Sequence, residues 1–223
     1  MILALARILA KLILWFVGIT LVLVIVFKFA PIPVTATMMM DENGATRDWE
    51  SIENIDPNLV AAVIAAEDAK FCEHSGFDTE AIEKAIENNA AGKRIRGGST
   101  ITQQTAKNVF LWQDGGYFRK GLEAWFAFWI EMIWGKERIM EVYLNVAETG
   151  IGTYGAEAGS QRYFGKSAAL MTPDEASRMA AALPLPKKRA VKDPAGWLAR
   201  HGNRIEAGIK TVKADGLDSC VYQ

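Results

Sequence analysis

Glu67 closes an alanine-rich apolar run and opens the string Glu67-Asp68-Ala69-Lys70-Phe71-Cys72-Glu73-His74-Ser75-Gly76. On a helix continuing through this string, Glu67, Phe71 and His74 fall at i, i+4 and i+7 and share one face. A carboxylate beside an aromatic ring at the edge of a cleft loses water. Its pKa then rises and it becomes a useful proton acceptor. Taken alone, the string reads better as a solvated acidic helix end followed by a glycine turn.

A second string changes the balance: Gly97-Gly98-Ser99-Thr100-Ile101-Thr102-Gln103-Gln104-Thr105-Ala106-Lys107-Asn108. Thr100 with Gln103 makes a capping box, so a helix opens directly after a double glycine. Free N–H groups at such a helix start favour anions. Thr100, Gln103 and Lys107 form a polar stripe that suits a sugar hydroxyl or a phosphate better than packing. A glycine loop with an ordinary capping box explains Thr100 and Gln103 but leaves Gln104 and Lys107 unused.

In the third string, Arg119-Lys120-Gly121-Leu122-Glu123, Arg119 and Glu123 are i, i+4 partners. A surface ion pair there contributes about 0.3–0.5 kcal/mol. The functional alternative makes Arg119 a phosphate clamp and Glu123 the second carboxylate of a glycosyl-transfer site. Trp125, Phe126, Phe128 and Trp129 follow on more than one face, so this helix divides between core and bilayer contact. The fourth string, Lys136 to Asn145, is amphipathic and mainly structural, with Glu141 and Asn145 bracing the site from behind.

The elements that must position these residues are mostly helical. Residues 8–30 carry only Lys11 and Lys28 near their ends, long enough for a bilayer that about 20 apolar residues cross. Arg7 and Lys11 precede the run while Asp41 and Glu42 follow it, which puts the N-terminus in the cytoplasm. Without an Ala-x-Ala-like site close behind, this is an uncleaved anchor. Residues 1–7 are then cytoplasmic, 31–55 a juxtamembrane connector, 56–213 the catalytic domain and 214–223 a tail. Helices are expected from Asp56-Pro57 to about Phe71, Asp78 to Ala91, Thr100 onward, about Tyr117 to Trp134 and Lys136 to about Ala147. Thr172-Pro173-Asp174-Glu175 and Asp193-Pro194 open two more. Asn43-Gly44 marks a turn, with a short hairpin expected near 34–50.

The 223 residues carry a net charge of −1, against the basic excess of a nucleic-acid binder. Cys72 and Cys220 could form one disulfide in an oxidising compartment. The simpler expectation is a buried small side chain and a loosely held tail residue. His74 and His201 are too far apart to suggest a zinc cluster.

In this order and spacing the four strings resemble the motifs of the peptidoglycan glycosyltransferase family: Glu-Asp-x-x-Phe-x-x-His-x-Gly, Gly-Gly-Ser-Thr-Ile-Thr-Gln-Gln, Arg-Lys-x-x-Glu and Lys…Tyr-Leu-Asn. The likeness runs from about Pro57 to Lys210. No Ser-x-x-Lys or Lys-Thr-Gly of the penicillin-binding type is present, so the monofunctional branch is the better match. The resemblance implies a mainly α, lysozyme-like fold with a small membrane-proximal lobe. It also implies an inner-membrane enzyme whose periplasmic domain acts on lipid II and a lipid-linked glycan chain.

By the same resemblance, Glu67 is the general base and Glu123 positions groups or stabilises positive charge at the anomeric centre. Lys107, Arg119 and Lys120 offset the charge of the leaving pyrophosphate, and Ser99, Thr100, Gln103 and Gln104 contact sugar or phosphate oxygens. Asp68, Phe71, His74, Glu141 and Asn145 support them. A divalent cation, Mg or Mn, could be shared between carboxylates and pyrophosphate. Division or elongation proteins are expected partners, and nucleic acid is not.

Two departures stand out. Gln113-Asp114-Gly115-Gly116 occupies a loop where many relatives carry a pyrophosphate-binding arginine, so Arg119 and Lys120 would carry more of that work. The fifth motif, Arg-x-x-x-Val-Leu, survives only as Arg200-His201-Gly202-Asn203-Arg204-Ile205. Two other functions compete. A glycan-cleaving transglycosylase needs one acid/base glutamate and no cation clamp, and a non-catalytic membrane scaffold needs neither.

Overall fold

A computed structural model describes residues 2–90 and 98–222. Its elements are largely helices, and their starts follow local chemistry. Helix α1, Ile2–Phe29, is the described helix long and apolar enough to cross a membrane. Pro31 and Pro33 end the run, as expected. Arg138 closes the helix from outside, donating from Nη2 to the carbonyls of Phe27 at 2.8 Å and Ala30 at 2.6 Å.

The connector contains a one-turn helix, α2, Ala36–Met39, and a turn at Asn43-Gly44 where Gly44 takes φ +75°. The hairpin expected near 34–50 is not formed. Strand β1, Thr46–Arg47, pairs instead in parallel with β3, Thr153–Tyr154, which makes the antiparallel hairpin with β2, Glu148–Gly150. The turn reverses the chain, but α2 occupies the stretch that a return strand would need.

Helix α3, Pro57–Glu67, forms the middle of the core. Asp56 caps it by accepting from Asn58 N at 2.8 Å, and Leu59 through Ile64 are all buried. It packs between α9, Pro173–Ala182, and α10, Gly196–Ala214. The approach to α10 is close because the facing residues are small. A Cβ on Gly208 would lie 2.9 Å from Ala65 Cβ. Helix α10 opens at Gly196 rather than at Asp193-Pro194. A residue before proline is pushed out of the α region, and Asp193 sits at φ +53°.

Helix α4, Thr79–Ala90, is capped by Asp78, which accepts from Ala81 N. Its expected stop at Ala91-Gly92 lies outside the described residues. Helix α5, Ile101–Phe110, carries the expected capping box and packs on α6, Gly116–Trp134, and α7, Lys136–Val146. The aromatic residues of α6 divide by face. Phe126 is buried and stacks on Phe110 at 4.3 Å, Trp125 turns to α1 through Phe16 and Thr20, and Phe128 is exposed. Helix α8, Ala156–Phe164, completes the far side.

Cys72 and Cys220 are joined in a disulfide across 148 residues, with Cα atoms 5.5 Å apart. This overturns the expectation of a loosely held tail. Residues 219–221 form a 3-10 turn against α7, and Val221 is buried.

Candidate active site

Glu67 is the last residue of α3, so Glu67, Phe71 and His74 do not share a helical face. Asp68 leaves the helix at φ −161°, ψ 75°. Its carboxylate accepts from Ile101 N at 2.9 Å and meets His74 Nε2 at 3.0 Å. Those tertiary partners outweigh another turn of α3. Phe71 is fully buried under the Lys136 ammonium, 4.5 Å from its ring centre. Lys136 also donates to the His74 carbonyl at 2.7 Å.

The start of α5 is therefore not an open anion site. Asp68 supplies an anion from the chain itself, a favourable place for negative charge. Thr100 N donates to Gln103 Oε1, and Gln103 N donates to Thr100 Oγ1. Thr100 and Gln103 are buried, and the Thr100 hydroxyl donates to Gly76 O at 2.7 Å. Their side chains are thus occupied within the fold, against the expectation of substrate contact. Gly97 lies outside the described residues.

One turn further along α5 the polar residues do reach Glu67. Gln104 Nε2 donates to Glu67 Oε2 at 2.8 Å, and its Oε1 accepts from the Tyr143 hydroxyl at 3.3 Å. Burial raises the Glu67 pKa above the ordinary carboxylate value, and the Asp68 charge adds to the rise. The Gln104 hydrogen bond and the charges of Arg189 and Lys107 oppose it. Lys107 follows Gln104 by three residues and lies between two carboxylates. Burial lowers its pKa, as do Arg119 and Lys120, while Glu123 and Glu67 pull it back up.

Glu123 is 2% exposed, and both its oxygens are taken. Arg119 Nη1 donates to Oε2 at 2.7 Å and Lys120 Nζ donates to Oε1. Lys120 also donates to Ser99 Oγ at 2.9 Å. Expected as a second carboxylate facing the sugar, Glu123 lies beneath the cations and anchors them. The buried Arg119 Nε has no partner among the described residues, which leaves a charged donor unused.

Glu141 and Asn145 brace the connector rather than the site. Ile52 N donates to Glu141 Oε2 at 3.0 Å, while Glu50 N and Glu50 O pair with the Asn145 amide at 2.8 and 2.7 Å. The site contact on α7 comes from Tyr143 between them.

Two openings flank Glu67 and Gln104. One, of about 220 Å³, is bounded by Glu67, Asp68, Lys70, Ser99 and Thr100. The other begins with Gln104, Lys107 and Tyr143. Through Gln113, Glu148, Pro184 and Pro186 it meets a cavity of about 490 Å³ bounded by Asp41, Trp112, Tyr154 and Lys187. Asp41 fixes that wall, accepting from the Tyr154 hydroxyl at 2.7 Å and from Lys187 at 2.9 Å. Burial raises the pKa of Glu148, with Lys187 opposing. Tyr143, Glu148, Lys187 and Arg189 were not singled out from sequence. Only Tyr143 lay in a motif string. The other three approach the groove through tertiary folding alone. Among the described residues no three His, Cys, Asp or Glu side chains gather as a metal site would require.

A partly buried carboxylate of raised pKa at a groove edge, with Lys107 beside it and Arg119 and Lys120 paired to Glu123 on the same helical scaffold, is an arrangement suited to transferring a sugar from an anionic leaving group. The transglycosylase family matches residues 34–208. The biosynthetic peptidoglycan transglycosylase of Caulobacter vibrioides is 53% identical over 203 residues, covering 90% of this chain and 89% of that protein. The Pseudomonas putida protein of the same name is 46% identical over 217 residues, covering 90% and 92%. That of Shewanella oneidensis is 49% identical over 184 residues, covering 82% and 76%. The chain belongs to the transglycosylase family, whose domain is lysozyme-like.

Proposed function

We propose that this protein is a peptidoglycan glycosyltransferase that polymerises lipid II into β-1,4-linked glycan strands during bacterial cell-wall synthesis. The observation that carries the assignment of its base is the Glu67–Gln104 contact at 2.8 Å beside the half-buried Lys107. In the reaction, the 4-hydroxyl of an acceptor GlcNAc attacks the anomeric carbon of the donor MurNAc. Glu67 takes the hydroxyl proton as the new bond forms. The bond from the anomeric carbon to the phosphate oxygen breaks, and its electron pair leaves on undecaprenyl pyrophosphate. Attack opposite the leaving group turns the α-linked donor into a β product.

Lys107, Arg119 and Lys120 offset the charge that grows on the pyrophosphate. Their grouping supports this role: Arg119 and Lys120 share Glu123, and the charges of Arg119, Lys120 and Glu123 all act on Lys107. Glu123 positions Arg119 and Lys120. Ser99 and Gln104 contact the substrate, while Thr100, Gln103, Asp68, Phe71 and His74 hold the helix start and the turn in place. A Mg or Mn ion would have to be held largely by the substrate's pyrophosphate, since among the described residues no three His, Cys, Asp or Glu side chains gather to hold one.

Helix α1 serves as an uncleaved inner-membrane anchor, with the N-terminus in the cytoplasm, residues 31–55 as connector and 56–213 as the catalytic domain. Removal of α1 as a leader would strip Trp134 Nε1 of its 2.7 Å bond to Val24 O and Arg138 of its two carbonyls. The Cys72–Cys220 disulfide suits an oxidising periplasm. Division or elongation proteins are its expected companions. Glycan-strand formation from purified lipid II tests the assignment. Release of soluble muropeptides from sacculi, without polymer, would point to glycan cleavage instead.

A further inference from the structure

The disulfide joins two segments that both reach Glu67 by other routes. On one side, Cys72 lies midway along residues 68–76, the turn that begins immediately after Glu67. Asp68 at the start of this turn holds Ile101 N at the head of α5. On the other side, Cys220 lies in the 3-10 turn of residues 219–221, which packs on α7. Helix α7 carries Tyr143, which donates to Gln104, and Gln104 donates to Glu67. The contacts close a ring: Glu67, the 68–76 turn, the disulfide, the C-terminal turn, α7, Tyr143, Gln104 and back to Glu67. Lys136, the first residue of α7, crosses this ring by holding the His74 carbonyl.

We infer that the Cys72–Cys220 disulfide is a positioning element for the transfer reaction, holding the turn behind Glu67 against α7 so that Glu67 and Gln104 keep their register. This rests on Glu67 being the base. A staple that only stabilised the chain could lie anywhere. This one instead links the residues following the carboxylate to the helix that orients its hydrogen-bond donor. Cys72 is half-buried, and Phe71, its neighbour in the same turn, is fully buried. Displacement of this segment is therefore transmitted to Asp68 and the start of α5 rather than absorbed in solvent.

The test uses the full-length folded protein in detergent, oxidised and then reduced with a phosphine, below the melting temperature of the reduced form. A Cys72→Ser/Cys220→Ser protein runs in parallel. On reduction kcat is expected to fall about tenfold or more with KM little changed, because a misplacement of about 1 Å can cost up to about 10²-fold. The acidic limb of the pH profile is expected to move, and reoxidation to restore both. Amide exchange at residues 68–76 and at Ile101 is expected to accelerate on reduction, a readout that does not depend on turnover. If the oxidised protein fails to polymerise lipid II, the functional assignment fails, and the exchange arm still decides whether the disulfide holds this ring. Unchanged kcat, pH profile and exchange on reduction, with only a lower melting temperature, would overturn the inference. The reduced wild-type protein decides the matter if the double variant does not fold.

Discussion

Gln104 bridges Glu67 and Tyr143, donating to the carboxylate at 2.8 Å and accepting from the hydroxyl at 3.3 Å. The amide has one orientation that satisfies both partners, so its N–H is fixed toward Glu67. A carboxylate held this way keeps one oxygen engaged and leaves the other for the proton transfer proposed for Glu67. Tyr143→Phe removes the partner that orients the amide without changing the shape of the core. It is expected to lower kcat by a few-fold, with KM and melting temperature nearly unchanged, in a steady-state lipid II assay.

The same pair fixes a pH dependence. Burial raises the Glu67 pKa and the Gln104 hydrogen bond lowers it. With Glu67 as the proposed base, turnover needs the ionised form, so kcat/KM is expected to rise with pH through a limb above the ordinary glutamate value. Gln104→Leu removes the lowering contribution and is expected to move that limb to higher pH. The stability effect has the opposite sense. A raised carboxylate pKa stabilises the fold below the ordinary value, and that contribution is lost as pH rises through the folded pKa.

Lys107, proposed to offset the pyrophosphate charge, is expected to set the other side of the profile. Its pKa is lowered chiefly by burial, so its charge is lost at a pH below the ordinary lysine range. A fall in kcat/KM is expected on that side. Lys107→Arg, whose charge persists, is expected to abolish the basic limb while lowering the maximum rate. A pH titration of initial rates for both proteins checks this.

Glu123→Gln keeps the shape of the buried side chain and removes the charge beneath Arg119 and Lys120. Breaking one partner of a fully buried pair costs about 3–5 kcal/mol. Lys120 is 43% exposed and can turn to water, so a loss near or below about 3 kcal/mol is expected by denaturation. Weaker retention of pyrophosphate-bearing ligands should accompany it, measured as a raised KM and a reduced kcat.

At the α3–α10 contact, Gly208→Leu would drive a side chain into Ala65. Overpacking of this kind costs about 1–3 kcal/mol. A lower melting temperature is expected, with kcat at 25 °C altered less than by Glu123→Gln.

The parts legible in the sequence were those decided by neighbours along the chain. Thr100 with Gln103 and Thr172 with Glu175 are local reciprocal bonds, and both capping boxes formed. Asp56-Pro57, the apolar run of α1 and the aromatic helix α6 are local for the same reason. What escaped was decided by distant partners. Asp68 ends α3 because Ile101 and His74 claim its carboxylate. Strand β1 pairs with Thr153–Tyr154 rather than with a nearby return strand. Cys72 pairs with Cys220 across 148 residues, a separation that no local pattern reveals. In the site, the motif strings brought Glu67, Gln104, Lys107, Arg119, Lys120 and Ser99 into one region. Spacing could not reveal that Thr100 and Gln103 are consumed by the cap, or that Glu123 lies under the cations it pairs with.

The most direct measurement is the rate of lipid II polymerisation by a Glu67→Gln protein that retains its disulfide and its wild-type melting temperature. Loss of a general base is expected to slow glycan-strand formation by about 10²–10⁴-fold while lipid II is still bound. Turnover close to that of the wild type would mean that another group accepts the proton, and the assignment of Glu67 would be wrong.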